Sequence, residues 1–266
     1  MTSMDYPLPR ERNAILTALL VLAAACWALL AWQWAASDDA AMGLTMGMAA
    51  PLFMAIWIAM MVAMMFPAAA PMILMFARIQ KGKVAREQAY VPTWIFVAAY
   101  LAVWVLAGLA AYGGAVAAER LADRSMWLMD NAPRIGGAVL IAAGVYQLSP
   151  LKNMCLSRCR TPMQFVLTSW RDGRGGAWRM GIEHGAYCLG CCWMLFVILF
   201  PLGIMNVAIM ALITLLIFTE KSLPAGRAAA ALAAVVLVAY GALVVVKPAV
   251  LPTAMSDTSA TTMNME

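Results

Sequence analysis

Apolar residues in this chain come in long unbroken runs separated by short charged segments, with neither the 3.6-residue nor the two-residue alternation of a half-buried element. Seven runs stand out, at 14–36, 49–77, 91–117, 133–149, 180–200, 204–219 and 228–246. A helix needs about 20 apolar residues to cross a hydrocarbon core about 30 Å thick. The pattern therefore predicts an all-α integral membrane protein with about seven transmembrane helices. The fourth and sixth runs are short for that task. The second holds Pro67 and Pro71, which predict a kink or a tilt.

Composition points the same way. Hydrophobic residues make up 65% of the chain and charged residues 12%, against about 45–50% and about 25% in soluble domains. No small-residue cleavage site follows the first run, so that run reads as a retained span. The formal charge of +5 calls for no nucleic-acid partner, because the basic residues cluster in short loops. Counted by loop, 14 of the 18 lysines and arginines fall on one side of the predicted spans; Arg120, Arg124, Arg134 and Lys247 fall on the other. Positive loops stay inside. This places the N-terminus in the cytoplasm and the C-terminus outside. The expected organisation is a cytoplasmic segment at 1–13, a single transmembrane helical domain at 14–247, and a polar, flexible tail at 248–266 carrying Met255, Met263 and Met265.

Methionine is in excess, with 23 residues, although Leu, Ile and Val would satisfy a bilayer equally well. In the second run, "FMAIWIAMMVAMMFPAAAPMILMFARIQ", Met60 and Met64 share a helix face, as do Met61 and Met65. Met54 and Met72 extend the Met61 stripe. Thioether sulfur is a soft, uncharged ligand suited to Cu(I), and it enters hydrocarbon without the cost of a carboxylate. It is also a flexible core filler, and both readings stay open. Before this run, "SDDAAMGLTMGMAAP" offers Met42, Met46 and Met48 for external metal capture.

The fifth run opens with the only histidine and three of the six cysteines. His184, Cys188, Cys191 and Cys192 fall within an arc of about 100° on a helical wheel. They extend over about 12 Å of helix, too far for one ion to be held by all four. The spacing suggests one site near Cys188, Cys191 and Cys192 and a neighbouring station at His184, with further ligands from another helix. The alternative is a set of small buried cysteines and a satisfied histidine. By depth, Cys191 and Met64 should lie level, so methionine and cysteine sulfurs can meet if the second and fifth spans are neighbours. Met205 and Asn206 begin the next span as possible further ligands.

In "LSPLKNMCLSRCRTP", Cys155 and Cys159 form a C-x-x-x-C in a basic loop expected on the cytoplasmic side. There the thiols should be reduced and able to hold a soft metal. Lys152, Arg158 and Arg160 would also anchor an amphipathic segment on anionic lipid. Cys26 reads as packing, Glu220–Lys221 as a local interfacial pair, and "WRDGRGGAWRMG" as a tight turn into the fifth span.

The stretches "MMVAMMFPAAAPM", "LSPLKNMCLSRC", "WRDGRGGAWRMGIEHGAYCLGCCW", "MN" at 205–206 and "EKSLP" together resemble a bacterial family of metal-binding integral membrane proteins described as copper-chaperone-like. The resemblance covers about residues 48–227. It implies metal handling, with copper foremost, and carries over to Met60, Met61, Met64, Met65, Cys155, Cys159, His184, Cys188, Cys191 and Cys192.

The expectation is a non-enzymatic Cu(I) protein that moves copper across or within the membrane, or delivers it to a copper enzyme under assembly. Its partners would be the lipid bilayer and a copper enzyme or soluble copper-binding protein. No nucleotide-binding motif is present to drive pumping. The alternatives are a membrane thiol–disulfide oxidoreductase, suggested by Cys188-x-x-Cys191-Cys192, and a non-catalytic assembly subunit.

Overall fold

The structure is a computed structural model that describes residues 9–36, 44–45, 47–84, 89–204 and 206–251. Among the described residues ten α-helices follow in order: α1 (Pro9–Ala36), α2 (Ala50–Val84), α3 (Thr93–Ala122), α4 (Met126–Gln147), α5 (Pro150–Arg160), α6 (Pro162–Ser169), α7 (Gly173–Val197), α8 (Leu199–Leu202), α9 (Val207–Ser222) and α10 (Gly226–Val246). No strand occurs among the described residues. Among the described residues, each of the seven apolar runs lies mainly in helix. Met42, Met46, Met205 and the residues after Leu251 fall outside the described residues.

Among the described residues, five helical segments are long and apolar enough to cross a membrane: Arg12–Ala36, Ala50–Val84, Thr93–Ala122, Gly173–Leu202 and Gly226–Val246. A sixth span results if α4 and α5 are counted as one, although they are bent by 60° at their junction. The short sixth run behaves differently. With 16 residues, α9 is about 24 Å long, less than the hydrocarbon thickness. Its ends are fixed by Asn206, whose side chain accepts from Ile209 N–H at 3.1 Å, and by the extended backbone of Leu223. This inventory is compatible with a multi-pass membrane protein. So is the outer surface, where Trp32 on α1, Leu106 on α3, Leu212 on α9 and Leu232 and Val235 on α10 are exposed. Side chains this apolar make a poor solvated surface.

Local chemistry explains two departures from the expected layout. The segment from Trp170 was expected to be a turn, but α7 starts at Gly173, whose φ of +77° suits a residue without a side chain. The glycine- and arginine-rich stretch is thus the first two turns of the helix. The C-x-x-x-C segment was expected within a basic cytoplasmic loop. Ser149 caps α5 by accepting from Lys152 N–H at 3.1 Å, and Pro150 opens it. Proline disfavours helix in the residue before it, so α4 stops and the chain bends. That bend lays α5 against α7.

α7 is the central post. α3 packs along one side, where Gly181 and Gly185 let the α3 backbone approach; a Cβ on Gly181 would lie 2.5 Å from the Phe96 carbonyl oxygen. α5 covers another side. α2 packs on α1, α3 and α9, and α4 pairs with α10. Pro67 and Pro71 lie within the continuous α2 helix. Thr45 joins the segment before α2 to α3: its N–H and hydroxyl donate to Glu119 at 2.7 and 3.0 Å.

Candidate metal centre

Cys188 lies at the middle of α7, buried, with a partner from each of three other helices. From α3, the Tyr100 hydroxyl is 3.1 Å from its sulfur. From α9, Lys221 Nζ donates to the same sulfur at 2.9 Å. From α2, Met65 Sδ stands 4.0 Å away. The expected meeting of methionine and cysteine sulfurs therefore occurs, through Met65 and Cys188. α2 and α7 do not run backbone against backbone, and long side chains bridge them.

Cys191 and Cys192 are buried next to it. Their thiols donate to the Cys188 carbonyl oxygen, at 3.1 and 2.8 Å. Such bonds to the preceding turn are the resting position of a small polar side chain in a helix. A change of rotamer would free both sulfurs. α5 supplies two more. The Cys159 thiol interacts with Cys188 and Cys191, and Cys155 packs against Gly190. Five of the six cysteines therefore gather where α5 meets α7, and the sixth, Cys26, packs partly buried on α1.

His184 sits one turn before Cys188. Its ring is enclosed by Phe96, Tyr100 and Phe165, with centroids 5.9, 5.6 and 5.5 Å away. Its Nδ1 is buried with no hydrogen-bond partner among the described residues. Buried nitrogens are rarely left so. This one is a lone pair or a proton without a use in the surrounding packing.

The remaining methionines divide by place. Met60, Met61 and Met64 are fully buried in the core. Met60 and Met48 line one cavity of about 10 Å³ with Phe53, Ile56, Trp57 and Ile204. Of the three methionines expected on the external side, Met48 reaches the α2 stripe, while Met42 and Met46 fall outside the described residues.

The sequence reading misplaces two charged residues. Glu220 and Lys221 are not an interfacial pair. Both are buried, and they point to different partners. Glu220 takes Lys152 Nζ at 2.7 Å and Gln147 Nε2 at 3.1 Å, and Lys152 also donates to Gln147. Lys152 is fully buried and so is no lipid anchor. Lys221 turns instead to Cys188. The missed signal is the length of the sixth run, since the charges that close this 16-residue helix are buried inside the protein. Tyr100, inside an apolar run, gives no such signal.

The donor chemistry fits a soft cation. Every cysteine in the cluster can offer a thiolate, the metal-binding form, and Met65 adds a neutral thioether. The geometry is not that of a closed cage. Among the described residues, no three His, Cys, Asp or Glu side chains stand at ligand spacing, and the Cys191 and Cys192 thiols are held by the backbone.

No curated protein and no solved structure matches the chain. One family does: the PpoB2 family, described as a copper chaperone, matches residues 54–244, which include the Met pairs of α2, both cysteines of α5, the cysteines of α7 and Lys221. With most of its length and all of this cluster inside the match, the chain belongs to the PpoB2 copper chaperone family.

Proposed function

We propose that this protein is a multi-pass component of a bacterial inner membrane that carries Cu(I) as cargo on the α5–α7 sulfur cluster. It passes the ion along the membrane interior, or across it, to a copper enzyme under assembly or a soluble copper-binding protein. The observation that carries the reading is the meeting of Met65 from α2 with Cys188 of α7, their sulfurs 4.0 Å apart at a buried locus, with Cys155 of α5 packed beside them against Gly190. Sulfur donors of this kind select soft monovalent copper over hard cations.

The open geometry suits cargo. A carrier needs sites that bind and then release, several in series. Met48 and Met60 at one cavity, Met65 at Cys188, and His184 one turn before Cys188 on α7 form such a series. Cys191 and Cys192 can leave their backbone bonds to take up an ion and return when it departs. The reading is of a binding and delivery protein and not of an enzyme. The N-terminus is cytoplasmic and the C-terminus periplasmic. Support for that orientation comes from the basic residues tied together at one end of the bundle, where Lys83 pairs with Asp172, Arg158 donates to Thr168 and Arg160 donates to the Leu223 carbonyl.

Titration of the detergent-purified protein with Cu(I) against a chromogenic Cu(I) chelator, under reductant, tests this. The expected result is retention of Cu(I) by the wild type, a sulfur-dominated ligand shell in X-ray absorption, and loss of retention when Cys188, Cys191 and Cys192 are all changed to Ser. No binding by the wild type, or binding unchanged in the triple variant, overturns it. Alkylation mass shifts on the same preparation, with and without a quinone, separate it from thiol–disulfide exchange.

A further inference from the structure

We propose that the groove between the end of α4, α5 and the start of α10 is a binding site for an anionic phospholipid, whose phosphate is held by Arg160 and Arg227. The inference rests on the multi-pass membrane reading above and adds a site and a ligand class to it.

Three observations carry it. The first is size. The groove has a volume of about 850 Å³ and is walled by Gln147 and Leu148 of α4, Asn153 and Arg160 of α5, and Arg227 and Ala230 of α10. Cavities of about 300–1,000 Å³ enclose drug-sized ligands, far larger than a bare anion.

The second is charge. Two arginines line the groove, and among the described residues no acidic side chain does. Glu220, bonded to Gln147, is buried and already paired with Lys152. Arg160 spends one N–H on the Leu223 carbonyl, at 2.9 Å, which holds its guanidinium at the turn between α9 and α10 and leaves its other donors. Arg227 is exposed. A guanidinium presents five donors in a planar fork that matches a phosphate. Arg158, two residues before Arg160, takes no part: it lies over the Tyr187 ring and donates to Thr168.

The third is depth. α10 is a candidate span that begins at Gly226, so Arg227 stands in its first turn, where hydrocarbon meets the headgroup layer. Leu148 and Leu223, at the ends of α4 and α9, are exposed beside it. Basic pockets between spans take anionic headgroups, and the exposed leucines give the acyl chains an apolar path, for which an acidic soluble partner has no use. A lipid held here touches α5, the helix that carries Cys155 and Cys159, and so braces the sulfur cluster from the membrane surface.

The test is melting of the protein in a neutral detergent with added phosphatidylglycerol or phosphatidylcholine, together with native mass spectrometry of retained lipid. Phosphatidylglycerol should raise the wild-type melting temperature by about 4 °C or more and remain bound to the chain. Phosphatidylcholine should do neither. Arg227→Gln should lose most of the shift, and Arg160→Gln combined with Arg227→Gln all of it. Arg158→Gln, which removes the same charge outside the groove, should keep it. If the double variant does not fold, Arg227→Gln decides alone, because its side chain is exposed. Equal stabilisation by the two lipids, or an equal loss in Arg158→Gln and Arg227→Gln, overturns the inference. A matching shift from glycerol 3-phosphate or from a polyglutamate peptide also overturns it, and assigns the groove to a small anion or to an acidic protein. Wild type that stays in solution after detergent is withdrawn overturns the membrane reading itself, a separate failure.

Discussion

A Cβ added to Gly190 would lie 2.7 Å from the Cys155 sulfur. α5 approaches α7 this closely because residue 190 has no side chain. Tyr146 fixes the same point from α4, its hydroxyl donating to the Gly190 carbonyl at 2.5 Å. Gly190 is thus the contact that brings the α5 cysteines to those of α7.

Gly190→Ala should push Cys155 from its rotamer or α5 from α7, at a cost of about 1–3 kcal/mol. Cu(I) retention should fall with it, since Cys159 rides on the same helix. Adding Cys155→Ala in the same chain removes the clashing sulfur and should recover most of the lost thermal stability. Melting of single and double variants in detergent reads this directly. Failure of the double variant to recover would show that the glycine is required for some reason other than the Cys155 contact.

The Lys152–Glu220 pair, at 2.7 Å and with both side chains nearly inaccessible, joins α5 to α9. Breaking a buried pair from one side strands a charge, at about 3–5 kcal/mol. Lys152→Met and Glu220→Met alone should each give poorly folded, low-yield protein, and Glu220→Met should be worse for metal retention because α9 also carries Lys221. The double replacement, which leaves no unpaired charge, should express better than either single variant. Yield and melting temperature compared across the three variants check it.

At the basic end of the bundle, the Asp172 carboxyl is held below its ordinary value of 3.8, first by the hydrogen bond from Lys83 and then by that from Trp170. A depressed carboxyl pKa favours the folded arrangement at pH above the ordinary value, and the benefit disappears as pH falls below about 3.8. The carboxyl is exposed, so the effect should be local. Trp170 emission should change on acidification through that range in the wild type. In Asp172→Asn the change should be absent. An identical change in both proteins would assign it to another group.

How much of this could be read from the chain depends on whether the signal is local. Apolar runs are local, and each became helix. The α7 cysteines share a face because of spacing along one helix, which the sequence states. Met64 could be placed at the depth of Cys191 by counting residues, and the contact that forms is between their neighbours Met65 and Cys188. The position of α5 could not: a 60° bend at Ser149–Pro150 turned two expected loop cysteines into members of the central cluster. Lys152 and Lys221 counted as inside charges in the loop tally, yet both are buried. Hydropathy and loop charge carry no sign of a lysine whose counter-charge comes from another helix.

Met65 and Met60 provide the last comparison, because both are fully buried on α2 and differ in what their sulfurs face. Met65 Sδ stands 4.0 Å from Cys188 Sγ, whereas Met60 lines the small cavity with Met48. Leu is close to Met in volume and apolar, so either replacement should cost less than about 1.5 kcal/mol in stability. If the methionines were only core filler, the two variants would also behave alike toward metal. The cluster geometry requires a difference. Met65→Leu removes a soft donor beside Cys188 and should lower equilibrium Cu(I) affinity by about tenfold, a loss of about 1.4 kcal/mol. Met60→Leu should leave that affinity unchanged and slow the loading of the protein by added Cu(I), because its place is along the approach and not at the cluster. Chelator competition measures the first quantity and stopped-flow loading the second. Equal affinities for wild type and Met65→Leu would remove α2 from the binding site and leave the cysteines of α5 and α7 to hold the ion alone.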